Sequence, residues 1–512
     1  MEMKSEGLLG VGDVGQGYIS FNTSSPSREA QHLFTTGLAL HYGFWYDLSA
    51  VYLEAALETD SNFAMAACMQ SMAYFHGLWG YEYPEQALPA LNRISSMNTS
   101  QVTDREWMYI NATRILWLSD GSTMERVALW RDAMGRIVEA YPDDVDAVTF
   151  MALAELTLVY PGERGFLKRG DVPGTIASLH RALNLNRYHT GALHMLVHAS
   201  DSPGSTAKAA RYGAERLGAT APDSFHLHHM PTHLFLRVGD WEACALGNTN
   251  AQGAKMRFLE RNGADAKDRS QWDWHSLEFL HYCFLQQERY GDAEELGALM
   301  APLGPVDDHS WRIRRRLVSS RYVVETRGWN TSWDFDTDIP CLICSMGECK
   351  DCVGDLFDGQ FEWVYMANAA GRLAGGISAV ELGELDTAEA CARDLERYVA
   401  ETSAVEPLSM TMAMYALEMR GYIECVGHDR YEDGLAYLAA AHEFELQWDP
   451  PAYGPPAPIV PVSEMYGWLL LRNPNVTPRD VAFAQDLFRY SLNQNPKRRH
   501  SVQGFALATV DS

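Results

Sequence analysis

The sequence predicts an all-α chain of helical hairpins stacked in a right-handed superhelix, or solenoid. Three observations predict it. From about residue 27 the apolar residues follow helical spacing, and strand-like alternation is nearly absent. The candidate helices come in pairs joined by short turns. Units end in segments such as GDWEACAL (239–246) or RYGDAEEL (289–296), a Gly/Asp turn followed by an aromatic and small residues. That arrangement marks a helix–turn–helix unit of about 34 residues, whose small positions let two helices approach closely. Such units cannot bury their apolar faces alone, so they stack.

Taken in order, segments 27–42 and 47–59 form the first pair, with Ala50, Leu53, Ala56 and Leu57 on one face of the second. Segments 63–76, 84–94, 104–118 and 123–140 follow, then 144–160 with 173–185, and 189–199 with 205–217. Next come 225–238 with 240–259 and 273–288 with 291–301. The organisation is therefore an N-terminal extension (1–26), tetratricopeptide-like repeats (27–329), a Cys-rich insertion (330–360) and further repeats (361–512). In the last part, pairs fall near 362–399 and 408–445. A proline-rich crossing (449–461) then leads to 463–471 and 478–494.

With 512 residues, 47% of them hydrophobic, the chain can bury a large core. A net charge of −26 argues against nucleic acid or an anionic membrane as the main partner. No run reaches the ~18 apolar residues of a membrane span, and no signal peptide is visible. Nine scattered cysteines fit reduced thiols better than a disulfide framework. A cytoplasmic location is the expectation, and the sequons at Asn22, Asn98, Asn111, Asn330 and Asn475 read as chance.

The histidines carry the functional signal. Of 17, more than half lie between residues 180 and 281. His194 and His198 are four apart, as are His229 and His233, so each pair shares one helix face. The two pairs are in register: 229 − 194 and 233 − 198 both equal 35, one repeat period. Equivalent positions in successive repeats lie side by side, and helices packed ~8–10 Å apart let imidazoles share one metal ion. His275 extends the row, with Glu278 one turn along. The competing reading is a set of core histidines bonded to carbonyls, or the polar lining of a peptide groove. Pro231 is best tolerated in a first helical turn, which would place His229 at the start of its helix and aim free N–H groups at the site.

Other candidates are weaker. His76 would cap the site if early repeats curl over it, and Asp201 and Glu464 are second-layer carboxylates or plain helix-end residues. Cys341, Cys344, Cys349 and Cys352 fit a structural zinc site, although the spacer is short for a zinc ribbon; disulfides or free thiols are the alternative. Cys68, Cys244, Cys283, Cys391 and Cys425 read as core, and Arg312, Arg314, Arg315 and Arg316 as a solvated helix face. No phosphate loop, nucleophile elbow or HExxH is present.

Several segments resemble a group of large, mainly bacterial tetratricopeptide-repeat proteins. HTGALHMLVHASDSP (189–203) is similar to their H-P-G-A-L-H-Y-x-I-H-x-x-D-D-P, and HMPTHLFLRVGDW (229–241) to H-M-P-S-H-I-F-x-x-L-G-x-W. Residues 64–80, 274–293, 321–329 and 453–471 are also similar. Thr190 and Ser202 depart from the pattern, and the four-cysteine insertion lies outside it. The resemblance implies the fold and the histidine row, and no reaction. Two functions are expected. In one, His194, His198, His229, His233 and His275, with His76 and Glu278, hold copper, zinc or iron in the concave groove of a metal-dependent enzyme acting on a small molecule. In the other, the chain is a scaffold whose groove binds a peptide.

Overall fold

The computed structural model describes residues 8–159, 172–201, 205–300, 309–330, 338–339, 360–405, 408–447 and 454–510. Among these the chain is a stack of helical hairpins, each helix packed on the next along the sequence. The first are α1 (Arg28–Tyr42) with α2 (Tyr46–Thr59), and α3 (Ala64–Met72) with α4 (Pro84–Asn92). There follow α5 (Asp104–Leu118) with α6 (Thr123–Ala140), α7 (Val145–Val159) with α8 (Pro173–Leu185), and α9 (Thr190–Ser200) with α10 (Ser205–Thr220). Then come α11 (Phe225–Arg237) with α12 (Trp241–Arg261), and α13 (Trp274–Gln286) with α14 (Tyr290–Leu299). The first helices also touch one another, α7 on α9, α9 on α11 and α13 on α15 (His309–Thr326), as in a tetratricopeptide-type solenoid.

Alternation shifts at the insertion. Here α15 packs directly on α16 (Gln360–Leu382), so from this point the even-numbered helices take the leading role. The helices α17 (Leu385–Glu401), α18 (Leu408–Tyr422), α19 (Tyr431–Gln447), α20 (Val462–Arg472), α21 (Pro478–Gln494) and α22 (Arg499–Val510) continue the stack, α16 touching α18, α18 touching α20 and α20 touching α22. The cysteines at 341, 344, 349 and 352 lie outside the described residues.

Local chemistry sets the boundaries. Thr103 and Ser122 open α5 and α6 with reciprocal capping boxes to Glu106 and Glu125, each occupying two otherwise unpaired N–H groups. The helix expected to run to residue 76 stops at Met72, because Phe75–His76 pairs as a two-residue strand with Tyr81–Glu82 around a turn closed by Gly80 at φ 74°. Apolar cores run along the stack, one from Val11 to Ala266 and one from Ile313 to Phe488, with a third between them around Phe279 and Tyr282.

Two long-range closures bend this stack onto itself. The first hairpin packs on α9, where Tyr42 and Phe44 meet His194 across about 150 residues of sequence. Near the other end, Arg498 sits between the Glu464 and Glu325 carboxylates and donates to the Tyr282 hydroxyl at 2.9 Å. Beside it, Gly239 (φ 66°) passes so close to the Pro496 carbonyl that a Cβ there would lie 2.1 Å from its oxygen. Among the described residues no helix is long and apolar enough to cross a membrane.

Candidate metal centre

The site begins with the docking of α9. His189 caps this helix by accepting the Ala192 N–H on Nδ1 (3.2 Å), so its Nε2–H faces Asp146 (3.0 Å). Asp146 also accepts from the Tyr42 hydroxyl (2.6 Å), which ties α1, α7 and α9 together. Gly191 lets the Tyr42 ring lie flush on α9, since a Cβ would meet that ring at 2.7 Å. The close approach puts the Tyr42 carbonyl 2.5 Å from Nδ1 of His194. That nitrogen must carry the proton, leaving a lone pair on Nε2, which lies 3.1 Å from Nε2 of His198. His226, in the first turn of α11, completes a trio whose ligand atoms lie within 4.8 Å of one another. Phe44, held at φ 55°, packs on all three rings at 4.4, 5.4 and 5.6 Å between centroids.

One turn further along α11 a second trio forms from His229, His233 and His275, again within 4.8 Å. Nδ1 of His229 lies 2.7 Å from the Asn248 side-chain oxygen. The Asn248 amide nitrogen is committed to the Cys244 carbonyl at 2.9 Å, so the oxygen faces the ring and Nδ1 of His229 donates. Nδ1 of His233 donates to Asp201 at 2.9 Å. The two Nε2 atoms face each other, 3.0 Å apart. His275 approaches His229 with ring centroids 4.5 Å apart, and Phe279 walls the group.

Four of the six histidines, His194, His198, His229 and His233, are buried, and His226 and His275 are half-buried. Phe44 of the first hairpin covers the first trio and Phe279 walls the second, so most of the rings lie inside the fold. Burial, together with neighbouring imidazoles, pulls His198 down to about 3 and His229 to about 4. His194 and His226 fall well below the usual range from the same causes, and His275 does so through burial and the Arg314 charge. Burial raises the Asp201 pKa, but the Arg237 guanidinium and the His233 hydrogen bond outweigh it and hold the carboxyl low. Neutral rings with outward-donating Nδ1–H groups are the state in which imidazole binds metal. Two nitrogens ~2.0–2.1 Å from one tetrahedral ion stand about 3.3 Å apart, close to the separations seen in both pairs.

The other sequence-derived candidates go elsewhere. Both oxygens of Glu278 are taken by guanidinium groups, Arg314 on one and Arg321 at 2.5 Å on the other, so it is an ion-pair partner. Arg314 is accordingly no solvated residue, and Arg316 is buried too. Glu464 accepts two bonds from Arg498 at 2.8 Å and lies in the C-terminal network. His76 stacks on Tyr46 (4.0 Å, 11°) and bonds the Ala73 carbonyl; the Tyr46 and Phe44 rings separate it from the histidine trios. Pro231 is the seventh residue of α11, so His229 lies past the first turn and not at the start of its helix. His226 escaped the sequence reading, though its signal was present: positions 226, 229 and 233 follow i, i+3, i+7 on one stripe. Cys68, Cys244, Cys283, Cys391 and Cys425 are buried thiols.

A cavity of about 610 Å³ lies apart from the two histidine trios, among Trp329, Trp468, Arg472, Arg498 and His500. The chain matches no protein-family profile and no curated protein in sequence. Solved structures align along most of its length. A human IFIT1 dimer with PPP-AAAA shares 11% identity at TM-score 0.34, covering 97% of this chain and 93% of that one. Yeast Tom70 shares 13% at TM-score 0.27, covering 94% and 88%. The TPR domain of P58(IPK) shares 12% at TM-score 0.21, covering 80% and 98%. At such scores the architecture is read from the helices themselves. The expectation of no nucleic-acid partner rests on net charge alone.

Proposed function

We propose that this chain is a metalloprotein that holds two transition-metal ions, one in each three-histidine group, and uses them on a small molecule. One observation carries the reading. With Nδ1 of His229 turned to Asn248 and Nδ1 of His233 to Asp201, the two buried Nε2 atoms face each other at 3.0 Å. Two nitrogens aimed at each other in this way share a cation, and their separation is close to that of two imidazoles on one tetrahedral metal ion. A metal ion satisfies both nitrogens and uses the hydrogen-bonded outer residues as such sites commonly do. Three imidazoles per ion leave a coordination position for Lewis-acid or redox chemistry.

Metal content of the purified protein tests this, with the His194→Ala/His233→Ala double variant as control. About two equivalents per chain are expected in the wild type, with most of the metal lost in the variant. If neither preparation retains stoichiometric copper, zinc or iron after loading and desalting, the chain is a helical scaffold with a polar interior.

A further inference from the structure

Resting on that reading, we infer that the two ions are monovalent copper, and that together they bind dioxygen. The charge count points to the oxidation state. All six ligands are imidazoles, which bring no negative charge to a metal, with no carboxylate or thiolate among them. Around them, Asp201 is matched by Arg237, and Glu278 by Arg314 and Arg321. Asp273, which caps α13 through the His275 and Ser276 N–H groups, supplies the remaining negative charge. Three carboxylates therefore balance three guanidinium groups, and the protein offers no net negative charge to the metals.

Two divalent ions would bring four uncompensated charges into this interior, and their mutual repulsion would be about four times that of two monovalent ions. Structural or catalytic pairs of divalent metals are usually bridged or ligated by carboxylates, which remove that charge. Among the first-row metals suited to imidazole, copper has the stable monovalent state, and it accepts three ligands. The donor set also differs from the two-histidine, one-carboxylate set of non-haem iron and from the Cys-containing set of blue copper.

Proximity points to the ligand. Helix α11 contributes to both groups: His226 belongs to one, and His229 and His233 to the other. Three residues along a helix advance about 4.5 Å, and the His226 and His229 ring centroids are 6.4 Å apart. The two groups thus adjoin along one helix, so that one small molecule would meet an ion held in each. On binding, each copper(I) gives one electron to dioxygen. The O–O bond order falls from two to one, two copper–oxygen bonds form, and release of the gas returns both electrons. An organic two-electron donor is needed only if the bound oxygen is consumed.

The experiment is an anaerobic titration of metal-free protein with copper(I) against a colorimetric copper(I) chelator, followed by exposure to air. Two equivalents should bind, and air should produce a charge-transfer absorption without the paramagnetic signal of isolated copper(II). His226→Gln and His275→Gln, at the half-buried ligands, should each retain one tightly held copper and show a copper(II) signal after air. Circular dichroism and melting of both variants verify that they fold. Two zinc(II) ions bound with no competition for copper(I) would overturn this inference and leave the metal reading standing. Two copper(I) ions bound with no spectral response to air would overturn the dioxygen assignment. Binding of neither metal would overturn this inference, and failure to retain iron as well would remove the metal reading.

Discussion

Asn248 shows how much one side chain decides at the residue scale. Its orientation selects the nitrogen of His229 that carries the proton, and so the nitrogen available inside the site. Asn248→Ala is expected to lower metal affinity at the His229 group about 10–100-fold, as loss of such outer bonds does, while the His194 group is unchanged. A competition titration resolving the two sites checks it, and equal affinities at both would refute it. Glu362 makes a separate prediction. It is buried with both carboxylate oxygens unmatched among the described residues, and burial pushes it up to about 9. The unfolded chain releases this proton near 4.5, so between those values the folded state holds more protons and stability falls as pH rises. Glu362→Gln should leave stability at pH 4 unchanged and raise it at pH 7 by up to about 3 kcal/mol, flattening the slope in denaturant melts. Residues like these were not legible in the sequence. Asn248 lies 19 positions from His229, and no periodicity marks it as a partner.

At the element scale the legible features were those with a local cause. Apolar spacing and turn residues gave most helices their place, α15 and α22 excepted, and the 35-residue register set the two histidine pairs on adjacent first helices. Thr103→Ala removes a cap whose Glu106 partner also holds the Ser24 backbone, and should cost about 1 kcal/mol in stability by chemical denaturation. The misreadings came from tertiary effects. Pro231 sits mid-helix although it leaves the Leu227 carbonyl without its usual N–H partner, a local rule overridden by packing on both sides of α11. Glu278 has the right helical phase to join the histidines, yet the arginines of α15 claim it, and that neighbour was invisible to spacing along α13. The α1–α9 contact offers a direct test of how packing governs ligand orientation. Gly191→Ala would press on the Tyr42 ring and shift the carbonyl that orients His194. It should destabilise the fold by about 1–3 kcal/mol and weaken metal binding at the His194 group more than at the His229 group. Equal weakening of both would show that Tyr42 does not act through His194.

On the scale of the whole molecule, the solenoid itself was evident from the repeat rhythm, but its closure was not. Phe44 folding over His194, and Arg498 locking onto Glu325 and Glu464, join segments that no repeat pattern relates. A ligand that binds only the folded state stabilises it by about 2.7 kcal/mol at one hundred times its Kd. Removing metal with a chelator is therefore expected to lower the melting temperature in calorimetry, and adding it back to restore the original transition. A melting curve indifferent to both would count against bound metal. The hydrogen bond between the Tyr42 carbonyl and His194 spans 152 residues, and His275 lies later still in the chain. Contacts this distant in sequence form late, because the loops they close carry a large entropic cost. A growing polypeptide that has passed α12 still lacks the last imidazole. If the proposed ions bind there, the first group can be filled once α11 has been made and the second only after α13.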